Sequence, residues 1–166
     1  MKLRHWIINI IAFIGLVGMD QWTKWMAATN LKESNPFVLW DGVFEFYYFE
    51  NYGAAFGILQ NQRILLIAMT SIIFIAILWV LIRIPNTKRY LPIRIVGILV
   101  AAGAVGNFID RIYHGYVIDF LYFKLINFPI FNLADCYVVV SMVLLTLLIC
   151  FYYKDEDFEV LKKKIV

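Results

Sequence analysis

Charge is what this chain has least of. Aspartate, glutamate, lysine and arginine make up 16% of its 166 residues, while 63% are hydrophobic and mean hydropathy is +0.76. Soluble domains carry about 25% charged residues, so a water-soluble globular protein is excluded. Cysteine is scarce as well: Cys136 and Cys150 are the only two, 14 positions apart in one predicted helix. At 1.5 Å rise per residue that separation is roughly 21 Å, too far for a disulfide. Histidine occurs only at positions 5 and 114, and there is neither a His-Glu-x-x-His run nor a cysteine cluster. No metal-ligand set is visible, and no metal is expected. Of the three serines, Ser71 and Ser141 lie inside apolar runs away from Lys24, which leaves little for a serine–lysine mechanism.

What the chain has is apolar length. Four segments, about 6–26, 64–83, 93–111 and 133–153, can each cross a bilayer, which takes about 20 residues. Backbone polar groups in hydrocarbon need internal partners, so each segment is predicted as a helix. The expected fold is a membrane all-α bundle of four transmembrane helices, one integral membrane domain over residues 1–166. Lys2 and Arg4 precede the first run, but no Ala-x-Ala-like site follows it, so it reads as an uncleaved span. Gly97, Gly103 and Gly106 in the third segment would allow close backbone approach.

Basic residues set the expected orientation. The side holding both termini and residues 84–92 carries ten of the fifteen lysines and arginines, against Lys24, Lys32, Arg63, Arg111 and Lys124 on the other. Both termini are therefore expected to be cytoplasmic, with two larger outer loops at about 29–62 and 112–130. In the first loop, Phe37-Val-Leu-Trp40 and Val43-Phe-Glu-Phe-Tyr-Tyr-Phe49 flank Asp41-Gly42, which predicts a small extracytoplasmic β-hairpin or sheet between helices 1 and 2. Its aromatic density suits the membrane–water interface. Gly53 and Gly57 are expected to supply unusual φ values or close approach to a ligand. The second loop is expected to lie on or dip into the interface, and the tail from Asp155 to be a solvated charged end.

Polar residues converge at one depth. Asp20 and Lys24, an i,i+4 pair, fall near the outer end of the first span; Asn107, Asp110 and Arg111 fall at the outer end of the third. Asn132 and Asp135 open the fourth, and Asn51 precedes the second. Single members have structural readings: Asn132 suits an N-cap, with Asp135 in the first helical turn. Asp119, between Val117-Ile118 and Phe120-Leu121, has the weakest such account. A transport path would need polar stations across the bilayer, and the second span has no ionisable residue between Arg63 and Arg83. The chemistry that remains is a pair of carboxylates sharing a proton, one activating water and the other protonating the substrate. The residues alone leave open which two aspartates meet.

Five blocks in order resemble the lipoprotein signal peptidases, also called signal peptidase II: Asp20-Gln-Trp-Thr-Lys24, Asn51-Tyr-Gly-Ala-Ala-Phe56, Gly103-Ala-Val-Gly-Asn-Phe-Ile-Asp-Arg111, Val117-Ile-Asp-Phe120 and Phe131-Asn-Leu-Ala-Asp135. Ala102 stands where that family often has a glycine, and Cys136 where serine is common. The resemblance implies an intramembrane aspartic endopeptidase of the bacterial cell membrane, with its active site near the outer leaflet. It would cut prolipoproteins before their diacylglyceryl-modified cysteine. By the same resemblance Asp119 and Asp135 are the catalytic pair. Asp20, Lys24, Asn51, Gly53, Asn107, Asp110, Arg111 and Asn132 would support it or bind substrate. The implied partners are diacylglyceryl-modified prolipoproteins and membrane lipid, with no metal or organic cofactor, no nucleic acid and a monomeric state.

Overall fold

The computed structural model describes residues 2–54 and 58–162. Elements follow in the order α1 (Lys2–Leu31), β1 (Phe37–Trp40), β2 (Phe44–Asn51), α2 (Arg63–Arg83), α3 (Leu91–Tyr113), β3 (Val117–Phe123), α4 (Leu133–Phe151) and α5 (Asp155–Lys162). Helices α1 to α4 are the four long apolar segments, each long and apolar enough to cross a membrane. Their limits follow local chemistry. Pro85 lies just past the end of α2, where a helix cannot easily continue, and Pro92 sits in the first turn of α3, where its missing N–H is no loss. Ile72, Ile75, Trp79, Val139 and Phe151 are exposed on the helices' outer faces, an arrangement that hydrocarbon solvent allows and water does not.

Helix α3 is the centre of the bundle, packing against α1, α2 and α4. Its buried side is made of small residues, Ala101, Ala102, Gly103 and Gly106, so neighbouring backbones come close. At Gly103 the contact leaves no room for a side chain. A Cβ there would stand 2.5 Å from the carbonyl oxygen of Ala134 and 2.8 Å from the side chain of Val138. That proximity sets the first turn of α4 against the last turns of α3.

The hairpin expected at Asp41-Gly42 is present as β1 and β2, but the sheet has three antiparallel strands in the order β1-β2-β3. The third comes from residues 112–130, expected as an interfacial loop. Val117–Phe123 is rich in β-branched and aromatic residues and completes a hairpin that would be marginal alone. Its single aspartate and short length hid the strand among apolar runs. Pairing of β2 with β3 slips by one residue between Phe46 and Phe49, so Phe49 faces Asp119 and Asn51 faces Val117. This bulge puts Asn51 and Asp119 on one face of the sheet as diagonal neighbours. The opposite face packs Ile118 and Phe120 on Ala27 of α1, with Tyr48 and Tyr116 at the edge of that cluster.

Two further expectations change. The tail is charged and largely exposed at Asp155, Glu156 and Glu159, but it is also ordered, because Asp155–Lys162 forms α5. Asp157 there takes a two-pronged ion pair from Arg89 (Nη2–Oδ2 2.6 Å, Nε–Oδ1 3.2 Å), and this holds its carboxyl down at about 2. Lys163 and Lys164 lie outside the described residues. Gly53 has no left-handed φ. It is needed for proximity instead, since a Cβ would come within 2.8 Å of the Ile58 carbonyl oxygen. Gly57 lies outside the described residues.

Candidate active site

The site is built from one end of the bundle and the adjoining sheet. Helix α1 brings Asp20 and Lys24, i and i+4 on one face, and α3 brings Asn107, Asp110 and Arg111. Strand β3 brings Asp119, the end of β2 brings Asn51, and the start of α4 brings Asn132 and Asp135. All ten residues expected from the sequence, Gly53 included, belong to one connected hydrogen-bond network.

The network begins at a buried cation. Lys24 is 1% exposed, and its Nζ lies 3.0 Å from both Asp20 Oδ2 and Asp110 Oδ2 and 2.9 Å from Asn107 Oδ1. A buried ammonium is tolerable only with such partners. The two carboxylates tie in further elements: Asp20 Oδ1 accepts from the Ala134 N–H at 2.9 Å, and Asp110 Oδ2 accepts from the Ile118 N–H at 3.0 Å. Helices α1, α3 and α4 and strand β3 are thereby joined at one point. Gln21, which the sequence reading passed over, completes it by donating to Asp110 Oδ1 (3.0 Å), the Gly106 carbonyl (3.1 Å) and Asp20 Oδ2 (3.2 Å). A glutamine beside an aspartate inside an apolar span was the available signal.

Three asparagines carry this order to the two remaining carboxylates, and each amide is oriented by a separate partner. Lys24 can only donate, so Asn107 turns its oxygen to Lys24 and its Nδ2 to Asp135 Oδ1, at 2.8 Å. Asn132 caps α4. Its Oδ1 accepts from the Asp135 N–H (3.0 Å) while its own N–H donates to Asp135 Oδ2 (3.1 Å), a capping box. Its Nδ2 is left to donate to Asp119 Oδ1 at 2.6 Å and to Asn107 Oδ1 at 3.0 Å. The oxygen of Asn51 accepts from the Gly53 N–H (2.9 Å), which aims its Nδ2 at Asp119 Oδ2, also at 2.9 Å. Arg111 fixes that turn from α3 by donating to the Gly53 carbonyl at 3.0 Å.

Asp119 and Asp135 are thus bridged by Asn132, each with both oxygens accepting from nitrogen donors. Asp119 is 1% exposed. Burial, and then the negative charge of Asp135, push its carboxyl up to about 7, against the opposing pull of the Asn51 and Asn132 donors. A carboxyl that keeps its proton near neutral pH beside a second carboxylate can act as an acid while its neighbour acts as a base.

Both carboxylates open onto a cavity of about 990 Å³. One wall is polar, with Asn51, Asn107 and Arg111 beside the aspartates. The other is apolar, with Phe123, Phe128, Ile130, Phe131 and Val138–Val140. Val139 and Val140 also lie on the outer surface of α4, so the apolar wall runs out to the side of the bundle. This wall was not legible in the sequence, because its residues come from β3, α4 and the segment between them and look like any apolar run. Among the described residues no group of three or more His, Cys, Asp or Glu side chains is placed to hold a metal ion. Cys136 and Cys150 are both free thiols on α4.

Comparison with known proteins gives the family of the chain. A family model described as signal peptidase (SPase) II matches residues 11–151. The chain is 37% identical over 147 residues to the lipoprotein signal peptidase of Streptococcus thermophilus (strain CNRZ 1066), covering 89% of this chain and 93% of that protein. It is 40% identical over 142 residues to that of Brevibacillus brevis, covering 86% of this chain and 93% of that protein. A bacterial membrane enzyme structure determined by the in meso method at 2.3 Å resolution superposes with a TM-score of 0.78 at 31% identity, over 96% of this chain and 94% of that one. With five sequence blocks drawn into a single network and a family model spanning most of its length, the chain belongs to the signal peptidase II family.

Proposed function

We propose that this multi-pass membrane protein is an aspartic endopeptidase that removes signal peptides from prolipoproteins, cutting just before the diacylglyceryl-modified cysteine, with Asp119 and Asp135 as its catalytic pair. The observation that carries the proposal is the meeting of these two carboxylates, from separate elements, on the lining of a cavity with one polar and one apolar wall. Asp135 takes a proton from water as its oxygen attacks the scissile carbonyl carbon, and protonated Asp119 donates to the carbonyl oxygen. Collapse of the tetrahedral adduct breaks the C–N bond as Asp135 passes its proton to the leaving nitrogen and Asp119 takes one back from an adduct hydroxyl. The products are a peptide carboxylate and a lipoprotein with a free amino group. Asp20, Lys24, Asn107, Asp110 and Asn132 hold the pair, while Asn51 and Arg111, which line the cavity, are placed to meet the substrate backbone.

The apolar wall suits acyl chains entering sideways from lipid past Val139 and Val140. With both termini cytoplasmic, as the basic residues favour, the site lies at the outer leaflet, where the substrate's lipid would be anchored. The chain works as a monomer on lipid-embedded substrates, without nucleic acid, and its site is complete within a single copy.

The test is cleavage of a diacylglyceryl-modified precursor by purified protein in lipid nanodiscs. Wild type is expected to cut, and Asp119→Asn and Asp135→Asn to bind precursor without cutting it. Near wild-type turnover by both variants would rule out the aspartic mechanism.

A further inference from the structure

A second polar cluster lies on the reverse face of the sheet, away from the cavity. Glu50 pairs with Ile118 across the strands and so faces opposite to its neighbour Asn51. Its Oε1 accepts from the Tyr48 hydroxyl (3.1 Å) and pairs with Lys32 Nζ (3.1 Å), and its Oε2 accepts from the Tyr52 hydroxyl (3.0 Å). The nearby Tyr116 hydroxyl also favours the charged form of this carboxylate. These donors come from three places, just past α1, within β2 and just past β2, and Tyr116 stands just before β3. Tyr48 and Tyr116 are anchored in turn by the Ala27, Ile118 and Phe120 cluster, and the rings of Tyr52 and Tyr116 lie 5.3 Å apart.

This is more than a surface ion pair. The Lys32 side chain is half exposed, so its charge alone would contribute little. Burial would raise the Glu50 carboxyl, but Lys32 and the three hydroxyls outweigh it and hold the carboxyl below its ordinary range. An anion gathering three donors at the end of a strand immobilises the peptide on which Asn51 is mounted. Asn51 is the last residue of β2, and its 2.9 Å bond to Asp119 runs diagonally to the next strand. Arg111 and Gly53 hold the residues after it, while those before it are held by the β2–β3 ladder and, on the reverse face, by the partners of Glu50.

We infer that Glu50, with Tyr48, Tyr52, Tyr116 and Lys32, is a positioning clamp that holds Asn51 on Asp119 from behind the sheet and touches neither substrate nor reacting atoms. The inference rests on the assignment of Asp119 to the catalytic pair.

The experiment compares kcat and KM of wild type, Glu50→Ala, Glu50→Gln, Asn51→Ala, the double variant Glu50→Ala/Asn51→Ala and Asp119→Asn on one diacylglyceryl-modified precursor. Misplacing a group that contacts the catalytic pair lowers turnover rather than binding. Glu50→Ala is therefore expected to lose kcat on the order of tenfold with KM within about twofold. Glu50→Gln keeps an acceptor for the tyrosines and should recover most of that loss. In the Asn51→Ala background, Glu50→Ala should cost nothing further. Equal losses in both backgrounds, or an unchanged kcat for Glu50→Ala, would overturn the clamp. Should Glu50→Ala fail to fold, Tyr48→Phe/Tyr52→Phe removes two donors and is held to the same two comparisons. Activity of Asp119→Asn near wild type would instead sink the catalytic assignment and leaves the Glu50–Asn51 coupling to be read on its own.

Discussion

Replacing Lys24 with methionine should show how much of the fold depends on the buried charge cluster. Lys24, Asp20 and Asp110 are all at most 1% exposed, and among the described residues the ammonium is the only cation within bonding distance of either carboxylate. Methionine preserves length and apolar volume but removes three contacts of 2.9–3.0 Å. Asp20 would keep only Gln21 and the Ala134 N–H, and Asp110 only Gln21 and the Ile118 N–H. Removing one partner of a buried ion pair costs about 3–5 kcal/mol, since the other charge stays buried. For a chain of this size that lowers Tm by roughly 6–20 °C. Asn107 would also lose one of the two donors to its amide oxygen, keeping only Asn132, so turnover should fall below Tm as well. The assay is thermal unfolding of purified protein followed by intrinsic tryptophan fluorescence, with the triple variant Lys24→Met/Asp20→Asn/Asp110→Asn alongside. Neutralising both carboxylates should restore most of the lost Tm. A shift under about 2 °C for Lys24→Met alone would mean that the buried-pair reasoning is wrong here.

Three further outcomes follow from the same geometry. Cleavage should fall as pH rises through about 7, where Asp119 loses the proton it donates, and Asn51→Ala, which removes a donor to the charged form, should move that limb upward. Because the folded pKa lies above the unfolded one, the stability that Asp119 contributes is complete below about pH 4 and lost through about pH 7, so Tm should decline over that window and decline less in Asp119→Asn. Gly103→Val should cost about 1–3 kcal/mol in the unfolding assay, because its Cβ would meet the Ala134 carbonyl, whereas Gly18→Ala, with nothing within 4 Å of its Cβ, should be neutral or stabilising; equal effects would refute the close-packing account.

Hydropathy was enough to locate all four helices, because a backbone in hydrocarbon has no alternative to internal hydrogen bonding and about 20 apolar residues have no other common use. The Asp41-Gly42 turn announced its hairpin for a similarly local reason, since few residues other than glycine and its Asn/Asp partners accept that conformation. Expensive polar residues in an apolar chain marked the site before any coordinates, and the ordered blocks pointed to Asp119 and Asp135 within it. What the sequence could not reveal depends on distance between segments far apart in the chain. Strand β3 exists because β2 offers it an edge, and the one-residue bulge that turns Asn51 towards Asp119 is a matter of pairing, to which no single residue commits. The sharing of Lys24 between Asp20 and Asp110, the orientation of each asparagine amide and the apolar wall of the cavity likewise arise only when α1, α3, α4 and the sheet meet. Local chemistry chose the elements and the residue types; packing of those elements decided which polar atoms face one another.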